Sequence, residues 1–101
     1  MSPPVFIVAA VELSERPVVL RMPFRFGVVT LTEAPQVFVR ARIALADGRE
    51  GWGAAAEILA PKWFDKDLAL SNEDNFDQLR RALRIAIDAY TSDATPRAAF
   101  A

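Results

Sequence analysis

The side chains that could do chemistry in this chain are carboxylates, lysines and a single tyrosine, because the sequence contains neither histidine nor cysteine. That composition excludes Ser-His and Cys-His nucleophile pairs, thiolate or imidazole zinc sites and disulfides. The nearest grouping for acid-base catalysis is Glu57 with Lys62 and Asp65. A loop of mixed charge gives little sign of the pocket that would shift their pKa values, so a stand-alone enzyme is the least favoured interpretation.

Two apparent ligand-binding motifs fail on inspection. The glycine-rich stretch from Gly48 to Gly53 resembles a phosphate loop, but it lies in a hairpin and no Lys-Ser or Lys-Thr follows it. Asp65 and Asp67 could begin a calcium loop, yet Ala69 stands where a third oxygen ligand is needed. We therefore predict no metal site in this chain.

Composition predicts one small domain. The chain has 101 residues, of which 52% are hydrophobic and 25% are charged, enough for one core but not two. A net charge of -1 gives no reason to expect a nucleic-acid partner. The longest apolar run, Val5 to Val11, is too short to cross a bilayer and lacks the features of a signal peptide. We expect no membrane partner and a cytoplasmic location.

Hydrophobic alternation with a period of two predicts strands in the first half of the chain. The alternating segments are residues 5–13, 18–22 and 37–45, with a return strand that reaches residue 57. Residues 14–17 are predicted to be a turn, and Pro23 is predicted to end the second segment. Asp47-Gly48 predicts a type I′ hairpin turn, since both residue types tolerate positive φ.

Two segments are predicted to be loops although they are unusually apolar. They are residues 24–35, with a central Gly27, and residues 60–70, with an adjacent Trp-Phe pair. A solvated loop of that length is normally more polar, so these side chains either pack on the core of this domain or bind something.

The second half of the chain predicts one amphipathic helix. Ser71 or Asn72 is the expected N-cap, followed by acidic residues in the first turn. Apolar residues then recur at helical spacing from Phe76 to Tyr90, where the helix should end. An Ala-rich piece follows. We predict an α+β fold: a three-stranded antiparallel meander sheet, an amphipathic helix and the start of a further helical segment.

Three stretches resemble the N-terminal capping domain of the enolase superfamily. They are Pro23 to Gly27, Val37 to Arg42 and above all Asp47 to Glu57, which reads DGREGWGAAAE. The likeness is closer to the mandelate racemase and muconate lactonizing enzyme branch, and it covers nearly the whole chain. Family members commonly have Glu after Gly-Trp-Gly, whereas this chain has Ala54 there.

The resemblance implies that the chain caps a catalytic barrel that it does not itself contain. In this family the barrel supplies three carboxylate ligands of Mg²⁺ and the base that abstracts a proton next to a carboxylate, as in racemases, cycloisomerases and acid-sugar dehydratases. The cap supplies two loops over a small carboxylate substrate, here about residues 24–33 and 53–66. The implied specificity contacts are Phe24, Phe26, Val28, Trp63 and Phe64, and none is catalytic.

Residues 1–101 are therefore expected to be a capping domain that is incomplete at its C-terminal end and catalytically silent by itself. Mg²⁺ belongs to the barrel on this interpretation, and the chain holds no cofactor. Its partners would be the barrel, the substrate and, through exposed apolar surface, a second copy of itself. The alternative is a stand-alone small binding or assembly module with no catalysis.

Overall fold

A computed structural model describes residues 3–27, 29–63 and 65–100. Its elements in chain order are β1 (Phe6–Phe26), β2 (Val29–Leu45), β3 (Glu50–Ile58) and α1 (Asn72–Ser92). The strands form one antiparallel sheet in the order β1-β2-β3. The predicted α+β fold, a three-stranded antiparallel meander followed by a helix, is confirmed.

The two strands predicted at residues 5–13 and 18–22 form a single strand, β1, because the expected turn at residues 14–17 stays extended. Pro17 lies opposite Pro35 of β2. The Pro35 carbonyl accepts a hydrogen bond from the Leu59 N–H on the β3 side, at 3.0 Å. A residue's N–H and C=O point to the same side of a strand, so this proline pair lies at a non-hydrogen-bonded position between β1 and β2. Neither proline removes a hydrogen bond from that ladder, and the strands continue through it.

The segment predicted as a loop at residues 24–35 is mostly sheet. Phe24 pairs with Leu31 and Phe26 with Val29, around a turn at Gly27. Val29 and Leu31 are buried, whereas Thr30 between them is exposed, as a strand covered on one face requires. The predicted strand end at Pro23 corresponds only to an irregularity in the pairing, between residues 19 and 24.

The β2–β3 turn lies where it was predicted, but its type is different. The Leu45 N–H donates to the Arg49 carbonyl at 2.8 Å, and the Gly48 N–H donates to the Leu45 carbonyl at 3.0 Å. Gly48 has a φ of 89°, whereas Asp47 does not have a positive φ. The turn is therefore a three-residue loop with glycine in the left-handed position, and not a type I′ turn.

Helix α1 begins with a capping box at Ser71, one of the two predicted N-caps. The Asp74 N–H donates to Ser71 Oγ at 3.0 Å, and the Ser71 N–H donates to Asp74 Oδ2 at 2.9 Å. These bonds satisfy donors that have no partner within the helix. The helix ends at Ser92, slightly beyond the predicted end at Tyr90.

We expect Ser71→Ala to lower the free energy of unfolding by about 1 kcal/mol, because it removes the side-chain oxygen that accepts from the Asp74 N–H. Urea denaturation followed by circular dichroism measures this. Ser92→Ala, at the exposed last residue of α1, is the matched control and should cost less than about 0.5 kcal/mol. Equal costs for the two variants would contradict a role for the cap.

Residues 93–100 do not form the further helical segment that was expected. The Phe6 N–H donates to the Arg97 carbonyl at 2.9 Å, and the Arg97 N–H donates back to the Phe6 carbonyl at 3.0 Å. Asp93 accepts hydrogen bonds from the Thr95 N–H and from Arg97 Nε. Pro96 also disfavours a helix here, so this piece pairs with the start of β1 instead.

The core lies at one end of the sheet, under the beginning of α1. Its buried members are Leu31, Ala34, Val37, Leu59 and Phe76. The helix packs on β1, where Arg80 donates to both carboxylate oxygens of Glu15. Within the described ranges, no helix has the length and hydropathy needed to cross a bilayer.

The molecule is elongated for its size. Its radius of gyration is 16.9 Å, against about 13 Å for an ordinary domain of this length. Its accessible surface is 7630 Å², against about 5,700 Å² for a typical monomer of 11.1 kDa. One helix covers only part of one sheet face, so apolar surface beside it stays open.

Candidate functional site

Two chain segments meet at the end of the sheet farthest from the β2–β3 turn. Hydrogen bonding between β3 and β2 ends with the bond from the Leu59 N–H to the Pro35 carbonyl, and the residues after Leu59 continue toward the first half of β2. That path brings Trp63 to the β1–β2 turn, where its ring lies edge-on to Phe26 with centroids 6.1 Å apart. The Phe24 ring lies 5.6 Å from that of Phe26.

Three of the predicted site residues are therefore together. Phe26 is half-buried against the core, whereas Phe24 and Trp63 are 58% and 72% exposed. Val28 and Phe64, the other two predicted contacts, lie outside the described residues. The apolar segment thus divides: Val29 and Leu31 belong to the core, Phe26 packs against it, and Phe24 faces outward.

A pocket of about 560 Å³ opens between these two segments. Its lining residues are Phe26, Gly27, Val29, Lys62, Trp63, Lys66 and Leu68. The walls are aromatic and aliphatic, two of the lining side chains are cationic, and none is acidic. This volume is in the usual range for small-molecule sites, and the lining suits an anion with an apolar body.

A buried polar network holds the second segment to the start of α1. Lys62 Nζ donates to the Leu70 carbonyl at 2.6 Å and to Asn75 Oδ1 at 2.8 Å. Asn75, which is only 2% exposed, donates to Gln78 Oε1 at 2.9 Å, and Gln78 donates to Asp65 Oδ2 at 2.7 Å. The sequence indicates only a loop of mixed charge at Lys62 and Asp65 and does not predict this network.

Lys62 also carries unusual backbone geometry. Its φ is 62°, in the left-handed region, which costs a non-glycine residue about 1–2 kcal/mol. Pro61 before it is fully buried and fixes the entry to the turn. No sequence signal marks a lysine for this conformation, and none marks Asn75 as its partner.

Four aspartates, two exposed and two half-buried, have pKa values below the usual 3.8: Asp47, Asp74, Asp65 and Asp93. Hydrogen bonds are the largest cause: from the Arg49 N–H to Asp47, from Gln78 to Asp65, from the Ser71 N–H to Asp74 and from Arg97 to Asp93. A carboxylate with a lowered folded pKa contributes stability above its unfolded pKa, and that contribution is lost as pH falls through the folded value.

These four carboxylates should therefore leave the free energy of unfolding nearly constant between about pH 5.5 and 7. At pH values below about 4, their protonation should lower it. Urea denaturation across that range measures it. In the double variant Asp65→Asn/Asp74→Asn, the free energy of unfolding should decrease less between about pH 5 and 3 than in the wild type. A protein that becomes more stable between pH 5 and 3 would contradict the assignment.

The opposite face of the sheet carries a different arrangement. The guanidinium groups of Arg40 and Arg42 lie 4.5 Å and 6.0 Å from the centre of the Trp52 ring, and Arg42 pairs with Glu50. Trp52, the tryptophan of the Gly-Trp-Gly motif, therefore packs under cations and is not part of the aromatic site. A Cβ built on Gly51 or Gly53 meets nothing within 4 Å, so packing in this chain does not require glycine there.

An apolar groove of about 620 Å³ runs between α1 and the β2–β3 half of the sheet. Val39, Ala55 and Leu83 are among its walls, and Glu57 lies at its side. Glu57 thus lines this groove, whereas Lys62 lines the separate pocket beside Trp63. Asp65 lines neither cavity. The geometry offers no support for a stand-alone acid-base site at these residues.

No protein-family profile, curated protein or solved structure matches this chain. Within residues 3–27, 29–63 and 65–100, no three acidic side chains gather as a metal site would require. The residues described here do not fit Mg²⁺, so no chemical step is assigned to a metal in this chain. What the site offers is an aromatic wall, two lysines and an open pocket.

Proposed function

We propose that this chain is the substrate-capping and specificity domain of a Mg²⁺-dependent enzyme of the enolase superfamily, in the mandelate racemase and muconate lactonizing enzyme branch. The observation that carries the proposal is the meeting of Phe26 and Trp63, which come from the two segments the resemblance marks as substrate loops. The DGREGWGAAAE motif and the α+β architecture also support it. The chain does not carry out the reaction by itself.

The cap's contribution would be to enclose one end of a small carboxylate substrate. Phe24, Phe26 and Trp63 would exclude water and bound the apolar body of the substrate. Lys62 and Lys66 would favour an anionic ligand in the pocket. Metal binding and proton abstraction next to the carboxylate would fall to a barrel partner, in a racemase, cycloisomerase or acid-sugar dehydratase, and the assembled enzyme would be cytoplasmic.

The first test is to sequence the source gene beyond codon 101. A frame that encodes a barrel with carboxylates at successive strand ends and a Lys or His base is the expected result. A stop codon there would overturn the capping proposal and leave a stand-alone binding module with no catalysis. The pocket is already formed by this chain's own residues, which is the observation that favours that second function.

In the full-length enzyme, Trp63→Ala should lower kcat/KM by about 10- to 100-fold, because it removes a wall that contacts substrate. Steady-state kinetics measures the loss. Trp52→Ala is the matched control, since its ring lies on the other sheet face under Arg40 and Arg42, and it should leave kcat/KM within about twofold. Equal losses in the two variants would mean that the aromatic cluster does not contact substrate.

A further inference from the structure

The residue just before Trp63 occupies a backbone conformation that its side chain does not favour. Lys62 has a φ of 62°, and in the described part of the chain it is the only non-glycine residue with positive φ. Glycine would adopt this turn without strain, as Gly27 and Gly48 do at the other turns. A lysine here therefore points to a requirement for its side chain.

That requirement is visible in the contacts of the ammonium group. Two of its N–H donors go to the Leu70 carbonyl and to Asn75 Oδ1. Asn75 is buried and bonded onward through Gln78 to Asp65, two residues beyond Trp63. In the described residues no buried side-chain nitrogen or oxygen lacks a partner, so the network is complete. A glycine at position 62 would leave the buried amide oxygen of Asn75 without its donor.

The network therefore holds the chain on both sides of Trp63. Lys62 ties the residue before it to α1, and Asp65 ties the chain after it to the same helix. Pro61, fully buried, fixes the approach to the turn. An exposed ring whose flanking backbone is attached at both ends has little freedom to leave its position beside Phe26.

We propose that Lys62 is a positioning residue for Trp63, which it holds against Phe26 before any ligand binds. The aromatic wall of the pocket is then preformed. Only the identity of what the pocket binds rests on the proposed function.

The chain's two tryptophans make a direct test available, because their indole N–H groups give separate signals in a ¹⁵N spectrum. We expect the Trp63 indole to have an order parameter near about 0.85 in the unliganded protein, and Trp52 serves as the reference in the same spectrum. Lys62→Met keeps the aliphatic stem and removes the donors. It should lower the Trp63 value below about 0.6 and leave that of Trp52 unchanged.

Three further variants separate the network from backbone strain and from charge. Lys62→Gly relieves the positive φ but removes the donors, so it should mobilise Trp63 as Lys62→Met does. Lys66→Met removes an exposed lysine from the same loop and should leave the Trp63 order parameter unchanged. Gln78→Ala removes the bonds that join Asn75 to Asp65 but keeps both bonds of Lys62, so it should lower the Trp63 order parameter less. It keeps the test decisive if the Lys62 variants fail to fold. The proposal would be overturned if Trp63 stays ordered in folded Lys62→Gly. If the Lys62 variants do not fold, an ordered Trp63 in Gln78→Ala would overturn it instead.

Titration with benzoate, a small carboxylate with an apolar body, distinguishes this proposal from the proposed function. Lys62→Met also removes one of the two pocket lysines, so it is compared with Lys66→Met, which removes the other. If the preformed state falls to about a tenth of the population in Lys62→Met only, its apparent affinity should be about tenfold below that of Lys66→Met. Loss of Trp63 order without benzoate binding to any form would support the positioning role and count against a carboxylate pocket. Equal affinity of wild type and variant, with Trp63 ordered in both, would overturn the positioning role and leave the pocket intact.

Discussion

Replacing Phe76 with alanine should lower the free energy of unfolding by about 3–5 kcal/mol. The Phe76 side chain is 4% exposed and lies at the centre of the contact between α1 and the sheet. Its loss removes a large apolar side chain and leaves a cavity beside Leu31 and Val37. Small domains have a total stability of about 5–15 kcal/mol, so this loss is a large fraction of the free energy of unfolding. Urea denaturation followed by far-UV circular dichroism measures the change.

The matched control is Phe100→Ala, which makes the same chemical change at a ring that is 105% exposed. It should alter the free energy of unfolding by less than about 0.5 kcal/mol. If the two variants cost the same, α1 would not be packed on the sheet in solution, and the buried core would have to be rejected.

The purified chain should self-associate through the apolar groove between α1 and the β2–β3 half of the sheet, and Ala55→Glu should return it to a monomer of 11.1 kDa. The accessible surface exceeds that of a typical monomer by about 1,900 Å². A stable dimer interface removes roughly 1,600 Å² in total, so the groove and its surroundings have enough area for a second copy. Size-exclusion chromatography with light scattering over a concentration series measures the assembly.

Neighbouring alanines on β3 provide the control for this experiment. Ala55 lies opposite Val39 on the groove face, whereas Ala54 lies opposite Arg40 on the other face of the sheet. Burying an unpaired carboxylate costs about 3 kcal/mol or more, so Ala55→Glu should weaken association by about 100-fold and Ala54→Glu should not. A wild-type chain that stays monomeric throughout, or equal effects of both substitutions, would show that the groove is not a self-association surface.

The elements that local patterns could predict are those whose stability is local. Alternation from residue 37 to 45 predicted the central part of the sheet, because each side chain's face follows from the pleat alone. Ser71 and Asp74 predicted the helix start, since the capping box closes within four residues. Asp47-Gly48 placed the hairpin turn, but the turn type depended on how Leu45 and Arg49 paired across it.

The errors arose where pairing between strands outweighed local turn signals. Residues 14–17 contain turn-forming types, yet their backbone pairs with β2 and stays extended. Alternation does not run through residues 24–35 because Gly27-Val28-Val29 interrupts it, although the strands pair on both sides of that turn. A turn propensity of about 1 kcal/mol or less cannot resist a ladder of many hydrogen bonds.

The candidate site was predicted in part. The aromatic side chains were identified because they are too apolar for ordinary loops, and Phe24, Phe26 and Trp63 do come together. The network around Lys62 was missed, because Asn75 reads as an ordinary first-turn residue until the loop is folded back over it. Nothing in the spacing between positions 62 and 75 marks a hydrogen bond.

By itself, the sequence determined the class of the fold, the position of the helix start and the exclusion of histidine and cysteine chemistry, because these depend on residue type and on contacts within a few residues. Only the tertiary structure decided that β1 runs unbroken from Phe6 to Phe26, that Trp63 stands against Phe26, and that Lys62 is held by Asn75. These features depend on contacts between residues up to 39 positions apart, such as Phe6 with Leu45. Such contacts stabilise the chain only once the sheet has formed and the loop has folded back.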